Sequence, residues 1–335
     1  MTAIGALGAT LISMVFIASF IGALHSPGPR SVPIGVVGSQ AQVSAVSASL
    51  NQQRPGGYSV TSYPTTEAAR NAILDRTINA ALTPAPASAL LQIATAAGPA
   101  VTNATVMDIS AVAQAGGLRL AVQNIRPLPE SNPQGISQVF FVVALTAPSL
   151  IFANLLINSF GKTLYPIGQI IAIIVYALLV SALATILADP VIGALTGAPW
   201  GLFGIGTLLA FAVTAAASAA ARWTGGLGYL VLFLLFIPVG VASSGTTLGP
   251  QMITPWYADL GKALPVGSAL PAVQNTVYFD GNAITIPLLV LSAWALGGAI
   301  ALALVAVFHP PLPGAQKPDS NQNAVAAAGE SGAQG

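Results

Sequence analysis

From Met1 to Pro310 the chain alternates charge-free apolar stretches with polar ones, and a single long polar insert follows the first stretch. A bilayer core of about 30 Å is crossed by about 20 helical residues rising 1.5 Å each. Ile4 to Leu24 meets that length without one charged side chain, as do Gln138 to Phe160, Leu164 to Leu187, Trp200 to Ala221 and Ile284 to Phe308. Leu227 to Ala242 reaches the short limit. Buried helices of soluble proteins rarely carry more than about 14 wholly apolar residues. With 6% charged residues against 54% hydrophobic ones, the chain also lacks the polar surface a soluble protein needs.

The expected fold is an α-helical transmembrane bundle of six spans, one plus five, with a small extracytoplasmic mixed α/β domain inserted after the first span. Transmembrane helix 1 falls in 1–25 and the domain in 26–137. Five helices follow in 138–309, broken by a re-entrant or interfacial loop at 243–283, and 310–335 reads as a disordered cytoplasmic tail rich in Pro, Ala, Gly and Gln. The first stretch lacks a basic leading region and is longer than the apolar core of a signal peptide, so a retained helix is expected.

Orientation follows from the basic residues of short loops. Lys162, Arg222 and Lys317 fall on one side of a six-span chain, whereas the opposite short loop carries only Asp189. Both termini are therefore expected in the cytoplasm of a multi-pass cell-membrane protein, with the insert outside. Trp200 and Trp223 mark the two ends of the fourth span as interfacial tryptophans do.

The insert reads as alternating strands and helices. Ser31 to Gly38 is a strand, Gln40 to Leu50 a helix and Tyr58 to Tyr63 a strand. Pro64 and Thr65 ahead of Glu67 announce a helix to Arg76. Ile78 to Leu82 and Ala89 to Ala97 read as strands, Pro99 opens a helix to Gln114, and Leu118, Leu120 and Val122 alternate as a last strand. Glu67, Asp75, Asp108 and Glu130 are scattered and read as solvated surface.

Chemistry-bearing residues are scarce. No cysteine occurs, and His25 and His309 are the only histidines, so neither a thiolate or histidine metal site nor a Ser-His-Asp triad has material. No enzyme activity, cofactor or metal is expected, and no basic run with interleaved aromatics points to nucleic acid. The spans hold no ionisable residue. Thr146, Asn154, Asn158, Ser181, Thr185, Thr207 and Thr214 read as hydrogen-bonding glue between helices. Ala215, Ala216, Ser218, Ala219 and Ala220 allow close helix approach and read as a subunit interface.

The loop before the last span is the most patterned. Its apolar segments are cut by Pro250, Pro255, Pro265 and Pro271, too short to cross and too apolar to float in water. They are expected to cap the external mouth of the bundle, with Trp256, Tyr257 and Tyr278 anchored at the headgroups.

One span, an α/β domain opening with VPIGVVG, then five spans resembles the permeases of the type-two ABC exporter superfamily, and especially its phage-infection-protein-like branch. The segment TSYPTTEAARNAILDRTINAALTP is similar to the family's external region. So is the loop with Pro250 and Pro255, Trp256, the run Leu264-Pro265-x-Gly267 and the closing Tyr278-Phe279. The resemblance covers most of Ser31 to Phe308. It implies a dimeric membrane subunit, homodimer or heterodimer, that exports a lipid-like or drug-like amphiphile while a separate ATPase supplies energy. No GxxxxGK[ST] loop is present for nucleotide. Lys162 and Arg222 are the candidates for coupling to the ATPase, and the loop residues above are the candidates at the external end. Two features depart from the family: Met1 lies close to the bilayer without a preceding amphipathic helix, and Asn158 to Leu164 is a bare turn rather than a charged coupling helix. A non-transporting scaffold or receptor that presents the external domain to a partner is the second expectation.

Overall fold

The computed structural model describes residues 2–160, 165–245 and 248–308. Lys162, His309, Lys317 and the expected tail at 310–335 lie outside them. Five of the described helices are long and apolar enough to cross a membrane, which marks a multi-pass membrane protein. These are Ser137–Ser159, Pro166–Val191, Pro199–Thr224, Gly226–Ser243 and Thr285–Val305. The apolar segment Gly8–Leu24, within the helix Thr2–Leu24 (α1), is shorter.

The insert folds as the alternating pattern predicts. Strands β1 (Val32–Val37), β2 (Tyr58–Tyr63), β3 (Ala80–Pro84), β4 (Ser88–Ile93) and β5 (Arg119–Asn124) form one sheet in the order β2-β1-β3-β4-β5. Pairing is parallel except between β3 and β4, which Pro84 to Ser88 joins as a hairpin. Helices α2 (Gln40–Gln53), α3 (Thr66–Leu74) and α4 (Pro99–Ala115) cover it. Local chemistry starts each one. Ser39 and Gln42 close a capping box on α2, the Thr65 hydroxyl accepts from the Ala68 N–H at α3, and Pro99 occupies the first turn of α4.

Because side chains alternate along a strand, the sheet has two cores. Val32, Ile34, Val36 and Leu91 meet Val43 and Leu50 of α2 and Val101 and Ile109 of α4. On the other face Ala81 and Ile78 meet Ala69 and Ile73 of α3. Asp108 is a correction to the solvated-surface reading. It is 7% exposed, receives Arg54 Nε at 2.7 Å and Nη2 at 3.1 Å, and accepts the Tyr58 hydroxyl at 2.6 Å. The hydrogen bond to Asp108 holds the Arg54 pKa up, and burial raises that of Tyr58.

The helices α5 (Ser137–Phe160), α6 (Pro166–Ile186), α7 (Pro199–Thr224), α8 (Gly226–Leu234), α9 (Gly240–Ser243) and α12 (Thr285–Phe308) build the bundle, with α10 (Pro255–Ala263) and α11 (Pro265–Tyr278) between α9 and α12. Helix α7 is the axis. Leu202, Leu209, Ala210, Ala212, Val213, Ala215 and Ala217 along it are fully buried. By contrast α6 and α12 present Ile171, Leu179, Leu183, Leu289, Leu296 and Ile300 outward, as lipid-facing helices must. Two π-helical turns, Leu187–Val191 around Pro190 and Leu235–Val239 around Pro238, absorb prolines that cannot donate to the helix ladder.

The glue reading of the polar residues holds at two points: Ser181 Oγ donates to Phe203 O at 2.8 Å and Thr214 Oγ1 to Ser149 O at 3.4 Å, both across helices. Of the small residues of α7, Ala215, Ala216, Ser218 and Ala219 are buried within the chain. They are used inside the chain, where a Cβ added to Gly298 of α12 would stand 2.6 Å from Ala216 N and 2.9 Å from Ala215 C. Close backbone approach is the packing mode here.

Two substitutions test this architecture. Gly298→Val should push α12 off α7 and lower stability by about 1–3 kcal/mol through overpacking, read as a fall in the detergent-phase melting temperature. Asp108→Ala should cost about 1–2 kcal/mol, mostly by leaving the Tyr58 hydroxyl without its carboxylate while Arg54 turns to solvent, read as an earlier loss of the domain's β-sheet signal in urea.

Candidate functional site

The loop before the last span is a helical hairpin wedged between the sheet domain and the bundle. Pro255 and Pro265 sit in the first turns of α10 and α11, where a missing N–H costs nothing. Leu264 is the buried residue between them, 3% exposed. At Gly267 a Cβ would collide with the backbone of Gly261, and at Gly261 with that of Ser243, so α9, α10 and α11 touch backbone to backbone. Val266, Ala269, Ala272 and Val273 of α11 then enter the main bundle core.

The upper side of the same hairpin belongs to the domain. Phe279, fully buried, completes the core of Ala69, Ile73 and Ile78, and Met252 completes that of Val101 and Ile109. Polar pairs surround these plugs. Gln274 Nε2 donates to Ala96 O at 2.6 Å, Asn282 Nδ2 to Leu74 O at 3.1 Å, and Arg126 pairs with Asp280. Asn132 Nδ2 donates to Tyr278 Oη at 2.9 Å, and Arg30 Nη1 to Met252 O at 2.9 Å.

The headgroup-anchor reading therefore needs correction. Tyr257 is 7% exposed and packs with Ala23 of α1, and Tyr278 is turned into the domain contact. Trp256 alone of the three is open, 68% exposed and edge-on to Tyr257 at 5.1 Å. Tyr278 gains its hydroxyl partner from Asn132, whereas Tyr257 is held by packing against α1.

Between the domain floor and the hairpin lies a cavity of about 220 Å³. Arg76, Gln138, Ser244, Gln251, Lys262 and Gln274 line it, with Pro250 and Gly267 of the predicted loop residues in its wall. Arg76 reaches it through a turn. The residue follows the cap of α3 with φ 64°, a left-handed conformation usually left to glycine or asparagine and costing about 1 kcal/mol here. From there Nε donates to Asn275 Oδ1 at 3.0 Å, Nη2 to Ala97 O at 3.4 Å, and the guanidinium carbon stands 4.5 Å from the Phe279 ring centre. All of these partners are neutral, and Arg76 joins no ion pair among the described residues. Burial pulls its pKa down to about 10, so it stays charged at neutral pH. Lys262 lines the same cavity, 71% exposed and paired with Asp259 at 2.7 Å.

Of the predicted residues, Pro250 and Gly267 thus wall the cavity, Leu264, Pro265, Tyr278 and Phe279 hold the seat, and Pro255 starts α10 with Trp256 at the surface. Arg222 is in the last turn of α7, where a cation complements the helix dipole, on the face opposite the domain; Lys162 lies outside the described residues. Sequence reasoning did not single out Arg76, Gln138, Gln251 or Gln274. The one local signal was a charged residue immediately after a helix cap, which looks like solvent-exposed turn chemistry. Among the described residues no three His, Cys, Asp or Glu side chains come together to hold a metal. Comparison with protein families, curated proteins and solved structures returned no match.

Phe279→Ala should cost about 3–5 kcal/mol through the cavity it opens and unseat the domain. Limited proteolysis of the 129–136 linker should accelerate while α7 and α12 stay protected.

Proposed function

We propose that the chain is the membrane permease subunit of an exporter for an amphiphilic, lipid-like or drug-like substrate. In this reading it has six spans with both termini cytoplasmic and the α/β domain outside, works as a dimer, and draws energy from a separate ATPase that meets it near Lys162 and Arg222. The observation that supports it is an apolar groove between α5 and α6 at the end of the bundle nearest the domain. Phe140, Phe141, Ala144, Leu183, Leu187 and Ile192 line it, and its volume is about 450 Å³. Phe140, Leu183, Leu187 and Ile192 are more than half exposed, so the groove is open on the lipid side. That size lies within the range of sites that hold drug-sized ligands. A groove without charge, open to lipid and beside a polar domain floor, suits a molecule with an apolar tail. The seat of α10 and α11 would let movement of the bundle reach the domain, since both cores draw side chains from it.

The second reading, a scaffold or receptor that presents the domain to an external partner, draws support from the far side of the bundle. There a single residue, Gly225, joins α7 to α8, which leaves an ATPase little to grip.

Co-purification separates the two. Tagged protein cross-linked through Lys162 in its native membrane should bring down an ATPase; its repeated absence overturns the permease reading in favour of the scaffold. Trp256→Ala, at an exposed position, should lower export severalfold while leaving the amount of protein in the membrane unchanged.

A further inference from the structure

We infer that the cavity beneath the domain is a binding site for a phosphate group, free or esterified, held by Arg76 and Lys262. The inference stands whether or not the chain transports anything.

The charge arrangement carries it. A partly buried guanidinium with only neutral partners is costly, and cations at such depth are normally paired. Arg76 has Asn275, Ala97 and the Phe279 ring, but no carboxylate. The acids nearest in the chain or the fold are engaged elsewhere: Asp75 Oδ1 accepts from Asn282, Asp280 pairs with Arg126, and Asp259 pairs with Lys262. No Asp or Glu lines the cavity. Its walls therefore carry the uncompensated charge of Arg76 and that of Lys262, which is shared with Asp259.

The remaining lining includes amide donors. Gln138, 3% exposed, comes from the first turn of α5, Gln251 adds a second amide, and Gln274 keeps one N–H beyond the one it gives to Ala96 O. The Gln138 carbonyl is already occupied by Asn132 Nδ2 at 3.1 Å, which leaves its amide N–H groups as the free end. A guanidinium and an ammonium lining one cavity suit a phosphate monoester, which carries about −1.5 to −2 charge at pH 7 with several acceptor oxygens. A cavity of about 220 Å³ takes that group with a few waters, at about 30 Å³ of liquid volume each.

The test uses the full chain in maltoside micelles, which carry no phosphate. Inorganic phosphate is titrated by calorimetry, and in a parallel arm short-chain phosphatidic acid is added while the melting temperature is followed. Saturable phosphate binding identifies a soluble anion as ligand; a rise in melting temperature with phosphatidic acid but no phosphate heat identifies a lipid headgroup. In whichever arm responds, Arg76→Gln should weaken binding about tenfold or more and Lys262→Gln less, because Lys262 already shares Asp259. If Arg76→Gln does not elute as a folded peak, Arg76→Lys takes its place, keeping the charge but losing the fork, and should weaken binding severalfold. No response in either arm overturns the proposal. So does a response that the Arg76 and Lys262 variants leave unchanged.

Discussion

The seating of the sheet domain on the helix bundle rests on backbone contact between α10 and α11. Gly267 against Gly261, and Gly261 against Ser243, bring three chain segments closer than any Cβ would allow. That approach turns a proline-cut loop into a tightly packed wedge, because dispersion attraction falls off steeply beyond contact distance. The wedge then supplies side chains to three cores at once: α11 to the bundle, Met252 and Phe279 to the two faces of the sheet. Loosening it would unseat the domain and expose Phe279 together.

The bundle solves a different problem. In lipid no water is available to satisfy a freed carbonyl, so helices must carry their own hydrogen bonds. Pro190 and Pro238 break that ladder and are accommodated by π-helical turns near the ends of their helices. Small residues on α7 let α12 approach, and Trp223 and Trp294 tie the outer helices back through indole donors to Ala301 O at 3.0 Å and Ala263 O at 2.8 Å. Specific hydrogen bonds and close packing replace the hydrophobic effect that lipid removes.

Charge is distributed with economy. Arg54 and Asp108 compensate each other within the domain, and Arg126 and Asp280 tie it to the loop. Arg76 departs from that pattern, held in a strained turn, facing a cavity and given only neutral partners. A group that costs both backbone strain and desolvation is where a fold departs from its own stability rules, and such departures gather at functional sites.

Much of this protein was legible in one dimension. Helix and strand positions in the insert follow from period-2 and period-3.6 patterning and from caps such as Ser39, Thr65 and Pro99, which act within a few residues of themselves. The apolar runs follow from bilayer thickness alone. What the sequence could not decide was which distant surfaces meet. The burial of Asp108, the inward use of the α7 alanines and the joining of Arg76 to α11 all depend on contacts across about 50 to 200 residues, such as the 199 that separate Arg76 from Asn275. Local propensity carries no information about such partners. Only the tertiary fold, by choosing which groups are taken out of solvent together, decided that a loop would be a seat and a turn arginine the floor of a cavity.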